Sequence, residues 1–210
     1  MRGLYGPPLA HGPLIAYRPR SRTAPPRTGP ARGLPGSRPR RYPAPMIDIQ
    51  LARPVDGDAL GEVHAAGWEA AYAPFFAPEF AAAGVRDRRT RWHARITNGE
   101  GAILLARVGG RPLALSWAGP SPHRPGWAEV FGFYGHPDGW GSGVAGALMT
   151  RTLDHLRAAG HTRVHLWTLR GTPRSRRFYE KSGYAPTGAE RPYDFGDGRP
   201  LTQVEYARDC

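Results

Sequence analysis

Apolar and polar positions along this chain fall into two regimes, one periodic from Met46 onward and one aperiodic before it. Ile47, Ile49 and Leu51 alternate with polar neighbours and predict an opening strand. Leu60, Val63, His64 and Gly67 or Trp68 then recur on one side of a helix that Asp56 or Asp58 can cap and that runs to about Tyr72. Pro74 and Pro78 break it, and two further helical pieces follow, over residues 78–83 and an arginine-rich 85–96. Residues 102–108 and 113–118 read as strands joined by Gly109-Gly110, a hairpin signal, and residues 127–136 as a third long strand. An amphipathic helix over 144–159 and a strand over 163–169 come next. A short helix opens at Pro173 and stops at Ser182-Gly183. Strands over 184–186 and 201–206, joined by an Asp197-Gly198 turn, close the chain. Hairpins and alternation coexist, which predicts one α/β domain with a mixed, mostly antiparallel sheet and helices on both faces.

Composition divides the chain at the same place. Residues 1–45 hold 11 Pro, 6 Gly, nine Arg and no acid, so they carry most of the formal charge of +12. Such a segment cannot bury enough surface to offset its ordering entropy, and it is expected to be disordered. Two readings of it stand: a basic arm for nucleic acid or anionic lipid, or a solvated tail, even an upstream stretch added by a wrong start codon. The remaining 165 residues, 46–210, carry 20 basic and 17 acidic side chains, which is unremarkable for one folded domain.

Several function classes drop out. The single cysteine, Cys210, allows no intramolecular disulfide. No apolar run approaches the length of a membrane span, and the N-terminus lacks a secretory apolar stretch, so a cytoplasmic protein is expected. No Cys/His/Asp cluster has metal-ligand spacing, and no Gly-x-Ser-x-Gly elbow is present.

The most telling stretch is Pro137-Asp138-Gly139-Trp140-Gly141-Ser142-Gly143, set between a strand and the helix over 144–159. Glycines allow sharp turns, and the first N–H groups of a helix have no internal partner, so this is a recipe for holding a phosphate or pyrophosphate. Residues 141–146 also match the dinucleotide fingerprint Gly-x-Gly-x-x-Gly. That fingerprint belongs after an early strand of a long alternating domain, with an acid after the next strand, and neither condition is met here.

Three stretches together make the chain resemble the GNAT superfamily of acetyl-CoA-dependent N-acetyltransferases. Residues 128–137 resemble the family's fourth strand. Trp140-Gly141-Ser142-Gly143-Val144-Ala145 resembles its Gln/Arg-x-x-Gly-x-Gly/Ala pyrophosphate loop. Arg176-Arg177-Phe178-Tyr179-Glu180-Lys181-Ser182-Gly183-Tyr184 resembles its last helix with its tyrosine. The opening strand, the helix bearing Trp68 and Tyr72, and Arg91-Trp92 fit as well.

The resemblance implies an acetyl transfer from acetyl-CoA to a primary amine, borne by a small molecule or peptide, by a monomer or homodimer without a metal. It implies that the strand over 131–135 pairs with the pantetheine, with Gly132 at a bulge and an N–H near Phe133, Tyr134 or Gly135 polarising the thioester. Trp140, Gly141, Ser142, Gly143, Val144 and Ala145 would hold the pyrophosphate. Two departures stand out: Trp140 replaces the family's Gln or Arg, and Thr172 replaces an Asn that touches the cofactor. Tyr179 is the candidate acid, since a phenol with a pKa of about 10 still carries its proton at neutral pH. Glu129 is the candidate base for an alkylammonium whose pKa is about 10.4. Two rival readings remain from the residues alone: a nicotinamide-nucleotide oxidoreductase, from the glycine fingerprint, and a non-enzymatic nucleic-acid-binding protein, from the basic tail. Nucleic acid is the less expected partner.

Overall fold

A computed structural model describes residues 46–210. The basic segment 1–45, and with it the expectation of disorder, lies outside the described residues.

Seven strands form one sheet: β1 (Ile47–Leu51), β2 (Ala102–Val108), β3 (Arg111–Pro120), β4 (Ala128–Gly135), β5 (Arg163–Leu169), β6 (Ala185–Tyr193) and β7 (Leu201–Asp209). Their spatial order is β1-β2-β3-β4-β5-β7-β6. Every neighbouring pair is antiparallel except β4 and β5. Five helices accompany the sheet: α1 (Gly57–Tyr72), α2 (Pro78–Thr90), α3 (Trp92–Thr97), α4 (Val144–Ala158) and α5 (Pro173–Lys181). Among the described residues no helix is long and apolar enough to cross a membrane.

Alternation along the strands sets the layers. Leu104 and Ala106 join a core beneath α4, where Leu148, Met149 and Leu156 are buried. Leu105 and Leu115 point the other way, toward Leu60 and Val63 of α1 and Trp92 of α3. Each face of the sheet is thus sealed by a helix whose apolar stripe follows the 3.6-residue period. Truncating a fully buried side chain such as Leu148 to alanine would cost about 2–5 kcal/mol.

Helix α1 begins one residue after Asp56, as the pattern predicts, but the carboxylate does not cap it. It accepts from the Arg53 backbone N–H at 2.8 Å and from Arg107 at 2.6 Å, tying the chain before α1 to β2.

Two boundaries differ from the expectation. The helical pieces over 78–83 and 85–96 do not part at Gly84; α2 runs through it and breaks only at Arg91. Gly84 serves a close approach instead, for a Cβ there would lie 2.9 Å from the Trp68 ring. The strand expected to stop at Pro186 continues to Tyr193. Pairing with β7 lapses after Pro186 and resumes at Glu190, and Gly188 within the interruption takes a φ of +85°. Residues 187–189, which the sequence pattern places in no strand, fold as a bulge.

Candidate active site

The site starts from a failure of pairing. Parallel strands β4 and β5 share only two rungs, Ala128 with Val164 and Glu129 with His165. Beyond them the strands part, so the β5-facing edge of β4 from Val130 to Gly135 is left without a ladder partner. On its other edge, β4 carries a bulge against β3: Trp117 pairs with Gly132 and Ala118 with Val130, which leaves Phe131 as the extra residue. The bulge expected at Gly132 therefore falls one residue earlier, next to it.

At the open end of this gap lies the glycine turn. Gly141 and Gly143 both have positive φ, 81° and 85°, and Gly143 forms the N-terminal boundary of α4. A Cβ on Gly143 would meet nothing within 4 Å, so the space over the loop is open. Ser142 stiffens the turn, donating to the Gly139 carbonyl at 2.7 Å and accepting from the Val144 N–H at 3.3 Å. The remaining first-turn N–H groups of α4, including that of Ala145, have no acceptor within the helix. Trp140 folds back on β4, its indole N–H toward the Gly135 carbonyl at 3.4 Å.

A cavity of about 450 Å³ opens beside the loop, lined by Phe75, Trp140, Thr172, Arg174 and Arg177 among others. The Arg174 guanidinium lies 5.8 Å from the Trp140 ring centre, so a basic group stands at the rim although position 140 supplies none. The Thr172 hydroxyl donates inward to the Leu169 carbonyl at 2.6 Å, closing the turn after β5. Its oxygen can accept a further hydrogen bond, but its proton is committed.

Tyr179, on α5, is buried among Tyr184, Tyr206 and Phe178. Burial, then the neighbouring Tyr184 and Tyr134, hold its phenol well above the ordinary value. Tyr72 of α1 is buried too and feels both Tyr134 and Tyr179, so phenols from α1, β4 and α5 converge near the gap.

Glu129 lies at the vertex. It is 4% exposed, not the solvated strand start that such a residue usually is. Burial pushes its carboxyl up to about 7, against the opposing pull of Arg191 and with a further push from Glu205. A buried polar cluster surrounds it. His165 Nε2 is 3.6 Å from the Glu129 carboxylate and 2.7 Å from the Ser121 hydroxyl. Ser121 already accepts from the N–H groups of His123 and Arg124, so its own proton goes to His165 Nε2. That assigns the imidazole proton to Nδ1, which faces Glu205 at 2.9 Å but too poorly aligned for a good hydrogen bond. Burial lowers the His165 pKa first and Glu205 partly restores it, so the ring is neutral at neutral pH. Glu205 is held in turn by Arg124 at 2.6 Å and Thr187 at 2.7 Å. Of these, only Glu129 stands among the residues singled out from the sequence. Ser121, His165 and Glu205 come together from three separate segments, and no local motif announces them.

A family model described as the acetyltransferase (GNAT) family matches residues 65–184. The chain belongs to that family and is an acetyltransferase. It is similar to an uncharacterized N-acetyltransferase of Mycobacterium bovis, 32% identical over 135 residues that span 63% of this chain and 85% of the relative. Its fold is similar to that of the PaiA N-acetyltransferase from Thermoplasma acidophilum in complex with coenzyme A, with a TM-score of 0.64, 16% identity and coverage of 79% of this chain and 99% of the other. It is also similar to YncA from Salmonella typhimurium, solved with acetyl-CoA, with a TM-score of 0.54, 18% identity and coverage of 78% and 93%. The dinucleotide reading of the glycines does not hold: the strand after α4 leads into Arg170-Gly171-Thr172, with no acid to hold a ribose. The nucleic-acid reading rested on residues 1–45, outside the described residues.

Proposed function

We propose that this protein transfers the acetyl group of acetyl-CoA to a primary amine, with the gap between β4 and β5 as the reaction site. The observation that carries the reading is the two-rung pairing of those strands, with an open glycine turn at one end and a buried carboxyl at the other. The residues present fit the donor. The unpaired edge of β4 offers backbone groups to an amide-bearing chain, and the first turn of α4 offers N–H groups and a positive dipole end to a pyrophosphate. Arg174 takes the part of the basic side chain missing at Trp140.

When bound, acetyl-CoA supplies an activated acyl group and a thiol leaving group. The rest belongs to the protein. A backbone N–H of β4 near Phe133, Tyr134 or Gly135 polarises the carbonyl oxygen as charge builds there. Glu129, titrating near 7, accepts a proton from the acceptor nitrogen as that nitrogen bonds to the acyl carbon. Tyr179, whose phenol keeps its proton at neutral pH, gives it to the sulfur as the carbon–sulfur bond breaks. The neutral His165, held between Ser121 and Glu205, fixes the wall against which Glu129 sits.

Calorimetry with acetyl-CoA and with NADPH tests the donor. Binding of acetyl-CoA alone supports the reading; binding of NADPH alone overturns it. Thiol release from acetyl-CoA across a panel of amines then identifies the acceptor.

A further inference from the structure

We propose that the acceptor amine carries a small anionic group, a carboxylate or a phosphonate, which docks on the Arg88 guanidinium between α1 and α2. The inference rests on the acetyltransferase reading and adds the class of substrate.

Arg88 is 7% exposed. Its guanidinium lies 4.0 Å over the Trp68 ring, and its one hydrogen bond, 2.8 Å long, goes to the Gly84 carbonyl of its own helix. Its Nε has no partner, and among the described residues no carboxylate lies within ion-pair distance of it. A buried arginine without an acid is costly, because desolvation of the charge is not repaid by an opposite one. The groups around it lack the same thing. The Trp68 indole N–H and the Tyr72 hydroxyl are buried with no hydrogen-bond partner. Trp68 Nε1–H, Tyr72 O–H and Arg88 Nε–H each have a proton to donate and no acceptor among the described residues. A buried network that served packing alone would mix donors and acceptors until each was satisfied. A buried guanidinium with two further donors beside it, where only the Tyr72 oxygen can also accept, is complementary to an anion.

The location ties this cluster to the reaction. A Cβ on Gly67 would lie 2.9 Å from the Gly135 carbonyl, so α1, which carries Trp68 and Tyr72, lies against the end of β4 where the thioester would be polarised. Tyr72 packs on Phe195 and Phe195 on Tyr193, so the cluster reaches the end of β6. An amino acid or similar zwitterion would place its negative end on Arg88 and its amine toward Glu129. A polyamine would set positive charge against the Arg88 guanidinium.

The test uses the full chain and two product-like probes: N-acetylglycine, which carries a carboxylate, and N-acetylglycinamide, its neutral amide, with methylphosphonate as a second anion. NMR follows the Trp68 indole N–H and the Arg88 Nε–H. Saturable shifts with both anions, at least about tenfold weaker for the amide and absent in Arg88→Gln, support the inference. Equal response to the amide, no response to either anion, or an undiminished response in Arg88→Gln overturns it. Should Arg88→Gln not fold, Trp68→Phe keeps the aromatic stack and removes one donor, and anion affinity must fall. Acetyl-CoA binding is measured separately by calorimetry. Its absence would sink the acetyltransferase reading, whereas normal acetyl-CoA binding with no anion response sinks this inference alone.

Discussion

Glu129 and His165 form the last rung between β4 and β5, and the sheet opens immediately beyond them. The rung does two jobs. It ends the ladder that would otherwise cover the edge of β4, and it buries a carboxyl at the vertex of the resulting gap. Burial is the main reason that this carboxyl titrates near 7, where a base is both available and strong enough to be useful. The topology that makes room for a donor is thus the topology that tunes the proposed base.

Glu129→Gln should lower the turnover number by roughly 10²–10⁴-fold, the range for one positioned base. The pH profile is the sharper readout. In the native enzyme kcat/KM should rise as pH passes through about 7, as the carboxyl ionises. In Glu129→Gln that limb should vanish, leaving only the ionisation of the acceptor amine. An unchanged limb would assign the base elsewhere.

The same group makes stability depend on pH. Its folded-state pKa is raised, from 4.5 to about 7, so the folded protein holds more protons than the unfolded chain between those values. Stability is therefore full below about 4.5 and is lost as pH rises to about 7. A shift of that size corresponds to about 3 kcal/mol at most. Denaturant unfolding at pH 5 and pH 8 should show Glu129→Gln gaining on the native protein by about 1–3 kcal/mol at the higher pH. Parallel curves for the two proteins would mean that the carboxyl is not desolvated as described.

Gly143→Val tests the donor loop. The position has a φ of +85°, which a β-branched residue adopts only under strain of about 1–3 kcal/mol. Nothing stands within 4 Å of the new Cβ, so the protein itself has room and should stay folded with a modestly lower Tm. The added methyls would stand where a pyrophosphate approaches the N–H groups of α4. Calorimetry should record a large rise in the acetyl-CoA Kd; a folded variant that binds normally would move the pyrophosphate elsewhere.

Much of this architecture was legible in the sequence because its signals are local. Alternation placed β2 and β5 at their observed ends, and Pro173 and Gly183 bracketed α5. The errors came where one residue type serves two purposes. Gly84 read as a helix break because nothing nearby in sequence reveals that Trp68 needs its missing side chain. The strand read as ending at Pro186 because Thr187-Gly188-Ala189 shows no apolar alternation, and the structure uses it as a bulge. The glycine loop, Tyr179 and Glu129 were visible through the family pattern. Ser121, His165, Glu205 and Arg88 were not, since their significance lies in burial and in partners distant along the chain.

Tyr179 and Tyr72 can be separated as acid candidates by removing one hydroxyl at a time. Both phenols are buried, both are held above the ordinary pKa by desolvation, and both face Tyr134. Tyr179→Phe should lower the turnover number roughly 10²–10⁴-fold, because the hydroxyl acts only as charge develops on the sulfur. Acetyl-CoA affinity should barely change, since the ring that packs against Tyr184 and Tyr206 stays in place. Tyr72→Phe removes a hydroxyl that has no hydrogen-bond partner in the protein, so stability should hold or rise slightly. With Tyr179 as the acid, this second variant keeps its turnover at saturating acceptor and loses mainly in acceptor KM, because the Tyr72 hydroxyl serves the anion beside Arg88. The reverse pattern, full turnover in Tyr179→Phe and a collapse in Tyr72→Phe, would transfer the role of acid from α5 to α1.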